Sequence, residues 1–229
     1  MKRFYKEALA SPGEGGVTIL LDGRAVRTPA RNLLSVPTEE LAEAIAREWA
    51  GQAEEVDAKA MPLTGLANAA IDRIAPDPAA FAKTLEVYGE SDLLCYRAEA
   101  PRPLVERQAE LWDRLLEWAR ARYDVELRTF PGVIHGPQPA DTVERIAAAV
   151  AARGPFQLAG LAPLVTISGS LVIALALAEG AIALGRGWGA ATLDEAWQAE
   201  QWGEDALAAA ALDNRRREFE AAYLFLTLL

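Results

Sequence analysis

Val17-Thr18-Ile19-Leu20-Leu21-Asp22-Gly23-Arg24-Ala25-Val26-Arg27-Thr28 reads as two extended runs about an Asp-Gly pair. The first run is β-branched and aliphatic, and the second alternates apolar with polar residues. Asp-Gly is a pair whose backbone readily makes a two-residue hairpin turn. Pro29 ends the second strand, and Leu33 to Val36 can supply a third. After Pro37-Thr38 the period changes. Leu41, Ala42, Ile45, Ala46 and Trp49 fall at helical spacing, with Glu39 and Glu40 in the first turn, where the helix dipole favours acids.

From that point onward the spacing predicts helices only. One covers Leu63 to Ile74. Asp77-Pro78 opens another, which runs to about Tyr88, with proline at its first position. Leu104 to Tyr123 is long and amphipathic, with Leu111, Leu115, Leu116 and Trp118 on its apolar face. Val125 to Phe130 reads as a short extended piece, and Asp141 to Arg153 as a helix. Two apolar helices follow, Thr192 starts another, and the stretch through Phe219, Tyr223 and Phe225 is amphipathic. The expected fold is α+β. A small β-rich N-terminal domain with one helix (residues 1–58) precedes a larger all-α domain (residues 59–229), with the boundary between Gln52 and Pro62.

Composition narrows the function. The chain has 229 residues, 52% of them hydrophobic and 24% charged, enough for a sizeable core. Its net charge of −10 argues against nucleic acid, whose phosphates demand surplus Lys and Arg, and against anionic lipid. A single cysteine, Cys95, excludes an internal disulfide framework and fits a reducing compartment. Met1-Lys2-Arg3-Phe4-Tyr5-Lys6-Glu7 lacks the apolar core of a secretory leader, so a soluble protein made where it works is expected. Arg153 to Glu179 encloses an uncharged span long enough to cross a bilayer. Pro155, Gly160, Pro163, Ser168, Gly169 and Ser170 break it into short pieces, so Leu171, Val172, Leu175 and Leu177 are expected between helices. A membrane-attached protein using residues 154–178 is the competing reading.

A search for chemistry returns little. Cys95 in Leu93-Leu94-Cys95-Tyr96 has the setting of an inert core thiol, and His135 lies in a turn-rich loop. Gly13-Glu14-Gly15-Gly16 lacks the Lys-Ser or Lys-Thr of a phosphate loop. Gly185, Gly187 and Gly189 lack dinucleotide-binding spacing, so both glycine groups read as turns. No catalytic residues, cofactor or metal site are expected. A carboxylate-using enzyme remains the other alternative. Trp49, Trp112 and Trp118 read as core anchors. Trp188, Trp197 and Trp202 crowd among Asp194, Glu195, Glu200, Glu204 and Asp205, either as a protein-binding surface or as packing beneath a solvated acidic face.

Leu21-Asp22-Gly23-Arg24-Ala25-Val26-Arg27-Thr28-Pro29-Ala30 resembles the opening signature of the mitochondrial-type F₁-ATP synthase assembly chaperones. Met61-Pro62-Leu63-Thr64, Ala70-Ile71-Asp72 and Ser91-Asp92-Leu93-Leu94-Cys95-Tyr96-Arg97-Ala98 continue the likeness in order. Gly169-Ser170-Leu171, Leu193-Asp194-Glu195-Ala196-Trp197-Gln198 and Trp202-Gly203 complete it. The resemblance implies a non-enzymatic chaperone that binds the free F₁ alpha subunit and shields its interface until the beta subunit replaces it. It implies the cytoplasm for a bacterial member and the mitochondrial matrix for eukaryotic relatives. A monomer without stable membrane insertion is expected. The family's functional acidic residue corresponds to Glu195, so client binding is expected at Glu195, Trp197, Gln198, Trp202, Asp194 and Glu204. Thr192 with Glu195 also has the spacing of a capping box, which would make Glu195 merely a helix cap.

Overall fold

The computed structural model describes residues 2–13, 15–203 and 205–229. The chain opens with β1 (Ala8–Gly13), β2 (Gly16–Leu21), β3 (Arg24–Ala25) and β4 (Ser35–Val36), then α1 (Glu39–Ala50) and α2 (Pro62–Ala69). α3 (Pro78–Glu90), β5 (Tyr96–Arg97), α4 (Arg102–Tyr123), β6 (Phe130–Pro131) and α5 (Ala140–Ala151) follow. The rest is helical: α6 (Pro155–Ser168), α7 (Leu171–Ala178), α8 (Leu184–Ala191), α9 (Leu193–Trp202) and α10 (Ala206–Thr227). Two compact units divide it. One comprises Met1–Pro78, Gly154–Gly160 and Leu224–Leu229; the other comprises Ala79–Arg153 and Leu161–Tyr223.

The first unit is built on the expected hairpin. Leu20 faces Ala25 and Leu21 faces Arg24, with Asp22 and Gly23 both at positive φ, the geometry that matches strand twist in a two-residue turn. The Asp22 carboxylate also accepts from the backbone N–H of Lys6 and Glu7, at 3.0 and 2.9 Å, tying the N-terminal segment to the turn. β4 pairs with β2 as the third run suggested, Val17 facing Val36. β1 was not expected. It pairs antiparallel with β2 from Ala8–Leu21 to Gly13–Gly16, as an edge strand with largely exposed or half-buried residues. α1 lays Leu41, Ala42 and Ile45 into the core of this unit, with Thr38 capping its start.

Carboxylates brace the helix starts and loops of the first unit. Glu48 of α1 accepts from the N–H groups of Leu63 and Thr64, at 2.7 and 2.8 Å, and so caps α2 from a neighbouring helix. Burial pushes the Glu48 carboxyl above its ordinary range despite those donors. α2 ends in a π-turn over Ala70–Ile74, where one continuous helix was expected. That turn carries Asp72, which accepts from Thr28 Oγ1 (2.6 Å), the Ala30 N–H (2.9 Å) and Asn32 Nδ2 (2.9 Å).

In the second unit α7 is apolar all round, and every residue from Leu171 to Leu177 is buried. Among the described residues no helix is long and apolar enough to cross a membrane. Asp92, 1% exposed, accepts from the N–H of Leu94 (3.0 Å) and of Val172 (3.1 Å), joining the Ser91–Ala98 segment to the start of α7. Ser170 caps α7 through the Ile173 N–H. Trp112 is buried and donates its indole N–H to the Ala190 carbonyl, as a core anchor should, whereas Trp49 and Trp118 are half-buried.

One expectation fails in this unit. Gly185, Gly187 and Gly189 are not turns but lie inside α8. A Cβ on Gly187 would stand 2.8 Å from Leu177 Cδ1, so the missing side chain is what lets α8 approach α7. The mostly helical unit also holds a short strand pair. Tyr96–Arg97 and Phe130–Pro131 form a short parallel pair, with Tyr96 facing Phe130.

Candidate functional site

The six residues singled out above divide into distinct environments. Asp194 is half-buried, and its Oδ1 accepts from Gln108 Nε2 at 2.8 Å. Gln108 is itself buried on α4 and accepts from the Ala98 N–H through its Oε1. Trp197 is half-buried under the Arg107 guanidinium, 4.9 Å from the ring centroid, and Arg107 also forks onto Glu200 at 2.7 and 2.8 Å. Gln198 is exposed. Trp202 is 78% exposed, too much for a packing residue of its size. Glu204 lies outside the described residues.

Glu195 is not a capping residue. Thr192 donates its hydroxyl to the Trp188 carbonyl (2.9 Å) and makes no side-chain cap at the start of α9. Only Thr192 separates α8 from α9, and its backbone (φ −114°, ψ 18°) is not the extended conformation a cap requires. Glu195 instead accepts from Arg215 Nη1 of α10 at 2.6 Å, and Arg215 Nη2 donates to the Ile167 carbonyl at 3.2 Å.

These residues border a cleft of about 300 Å³ within the second unit, lined by Leu93, Trp112, Thr166, Ile167, Ser168, Gly169, Ala191, Asp194, Glu195 and Arg215. Leu93, Gly169 and Asp194–Glu195 come from three separate sequence signatures. The Leu93 N–H donates to the Gly169 carbonyl at 2.9 Å, which fixes two of the three against each other. Past the end of α9, large apolar side chains are exposed on either side of the exposed Asp205. Trp202 lies before it, and Ala206, Leu207 and Ala208 at the start of α10 lie after it, all exposed, with Leu207 at 82%.

Elsewhere, the titratable and thiol side chains are held by burial or by hydrogen bonds. Cys95 is buried, and burial, then the neighbouring Asp92, pushes its thiol well above the ordinary range, so no thiolate is on offer. His135 Nδ1 is hydrogen-bonded to the Tyr96 hydroxyl at 3.0 Å. Glu179 accepts from Tyr123, Arg122 and Arg153, at 2.6 to 2.7 Å. Burial pushes the Glu179 carboxyl up, but these donors outweigh it and hold the group below its usual range. Among the described residues no three His, Cys, Asp or Glu side chains are grouped to hold a metal ion.

The family described as ATP12 chaperone protein matches residues 2–120. The chain belongs to the ATP12 chaperone family. The ATP12 likeness runs well beyond the matched half. The crystal structure of Atp12 from Paracoccus denitrificans is 42% identical, with a TM-score of 0.94, covering 99% of this chain and 97% of that one. A crystal structure from Agrobacterium tumefaciens is 41% identical with the same TM-score and covers 99% of this chain and 85% of that one. The mitochondrial Atp12 protein of Schizosaccharomyces pombe is 27% identical over 219 residues, or 90% of this chain and 75% of the relative. An ATP12 protein is a chaperone of ATP synthase assembly, and the small N-terminal sheet followed by a mostly helical region is the ATP12 fold.

Sequence reasoning missed Arg215, Ile167 and Trp112 as neighbours of the acidic pair. Arg215 lies 20 residues beyond Glu195 on another helix, and its only sequence signal is the run Arg215-Arg216-Arg217 in an acidic chain.

Proposed function

We propose that this ATP12 protein holds the unassembled alpha subunit of F₁ through the cleft beside α9 and the exposed surface that continues from it. The observation that carries this reading is the convergence of Leu93, Gly169 and the Asp194–Glu195 pair, from three distant segments, on one cleft. Trp202 and Leu207 add large apolar groups exposed to water, which in a monomer mark a contact surface rather than a core.

An alpha subunit awaiting its beta partner exposes an interface that self-associates unless it is covered. A cover that later yields to the beta subunit needs moderate affinity, so an apolar anchor set among charged groups suits the task better than a fully apolar interface. Asp194, Glu195 and Glu200 make the acidic half of such a contact, and Trp197 and Trp202 the apolar half. Gln198, exposed between them, is placed to add a hydrogen bond.

The test is capture of purified alpha and beta subunits by the tagged chaperone. Retention of alpha but not beta, with release of alpha when beta is added, is the expected result. Equal retention of both, or of neither, would remove the alpha subunit as client.

A further inference from the structure

The Glu195 carboxylate already holds a guanidinium. Arg215 reaches from α10 to place one nitrogen on Glu195 Oε1 and another on the Ile167 carbonyl, and all three residues line the cleft. Two independent features therefore favour a cation there. One is the carboxylate. The other is the last turn of α6, where carbonyls lack helical partners and the dipole is negative. Asp194 stands beside them with a second carboxylate, which leaves the rim one negative charge in excess. Leu93, Ile167 and the Trp112 ring supply apolar walls.

The Arg215–Glu195 pair is also loosely kept. Its side chains are 38% and 44% exposed, whereas Arg153, bound to Glu179 in the same unit, is 16% exposed. An exposed pair exchanges partners at little cost.

We propose that Arg215 is an internal stand-in for an arginine of the client. The cleft recognises a guanidinium flanked by apolar side chains, and Arg215 must leave Glu195 for that residue to enter. This deepens the client-holding reading above and rests on it. The occupant is identified by charge complementarity and by the group the cleft already accommodates. A built-in competitor weakens the hold, and it recaptures Glu195 as the client departs, so release does not strand a bare carboxylate.

The experiment replaces Arg215→Gln, with Arg215→Lys as the variant that keeps a cation. Two readouts are taken: capture of purified alpha subunit, and NMR titration with acetyl-Leu-Arg-Leu-amide followed at the Trp112 indole N–H. Arg215→Gln is expected to tighten both by about fivefold, the equivalent of the roughly 1 kcal/mol of an exposed ion pair. Arg215→Lys should show no gain, and adding Glu195→Gln to Arg215→Gln should abolish it. Acetyl-Leu-Gln-Leu-amide should not respond. Peptide binding that is unchanged or weakened in Arg215→Gln overturns the proposal. So does an equal gain in Arg215→Lys, which would trace the effect to loosened packing. If the peptide behaves as expected but wild-type protein captures no alpha subunit, the cleft chemistry stands and the client assignment falls.

Discussion

Asp92 and Glu195 are both acids beside the first turn of a helix, yet their surroundings differ in kind. Asp92 is sealed at the start of α7, 1% exposed, with backbone N–H groups from two segments pointing at it. Glu195, on the first turn of α9, is 44% exposed in its side chain and held by a single exposed guanidinium. A carboxylate whose partners are backbone N–H groups is fixed by the architecture, whereas one held by an exposed side chain can exchange its partner, as the proposed client contact requires. Proximity to a helix start does not separate the two settings; the identity of the donor does.

Removing the sealed carboxylate should do the most damage. Asp92→Ala leaves the N–H groups of Leu94 and Val172 buried without acceptors, and is expected to cost about 4 kcal/mol. Denaturant unfolding measures it, and any loss of client capture should follow the lost stability. A cost under about 1 kcal/mol would break the contrast.

The next effect is in pH. Burial pushes the Asp92 carboxyl up to about 6 from its ordinary 3.8, against hydrogen bonds from Ser170, Val172, Leu94 and Leu171. Between those values the folded protein binds a proton that the unfolded chain has released. The contribution is therefore fully present below pH 3.8 and lost as pH rises through 6, by up to about 3 kcal/mol. Asp92→Asn cannot titrate, so the stability of wild type relative to that variant should fall between pH 4 and 6. A flat difference across that window would contradict the assignment.

At the exposed acid the expected pattern inverts. Glu195→Lys sets a cation against Arg215 and should reduce alpha-subunit capture at least tenfold, about 1.4 kcal/mol or more, while unfolding changes by roughly 1 kcal/mol or less. Glu195→Gln should show an intermediate capture defect. Thermal unfolding and capture measured on the same samples decide it, since capture lost only in step with stability would make Glu195 structural. Smallest of all, Cys95→Ala should cost about 1 kcal/mol and leave capture intact, as befits a packed thiol.

The sequence made some of this legible and hid the rest for physical reasons. The Asp22-Gly23 hairpin could be read because turn chemistry and strand alternation are both local. β1 could not, because an edge strand with Pro12 and solvent-facing residues carries no alternation. α8 was hidden by its glycines, whose value lies in contact with Leu177 rather than in propensity. The Thr192–Glu195 spacing suggested a cap, but α8 reaches so close to α9 that the Thr192 hydroxyl turns back to Trp188. The closeness of the acidic and aromatic residues near α9 was legible, because it is local in the sequence. Their pairing with Arg215 was not, because it depends on how α10 packs.

The all-round burial of α7 sets a clock within the molecule. Its backbone amides have no solvent-facing side from which to open, so they should exchange with deuterated water only when the whole second unit unfolds. The exposed first turns of α10 should exchange through local opening. Protection that a bound client confers on residues 206–212 would then mark contact, whereas protection gained at 171–178 would report stabilisation transmitted to the core.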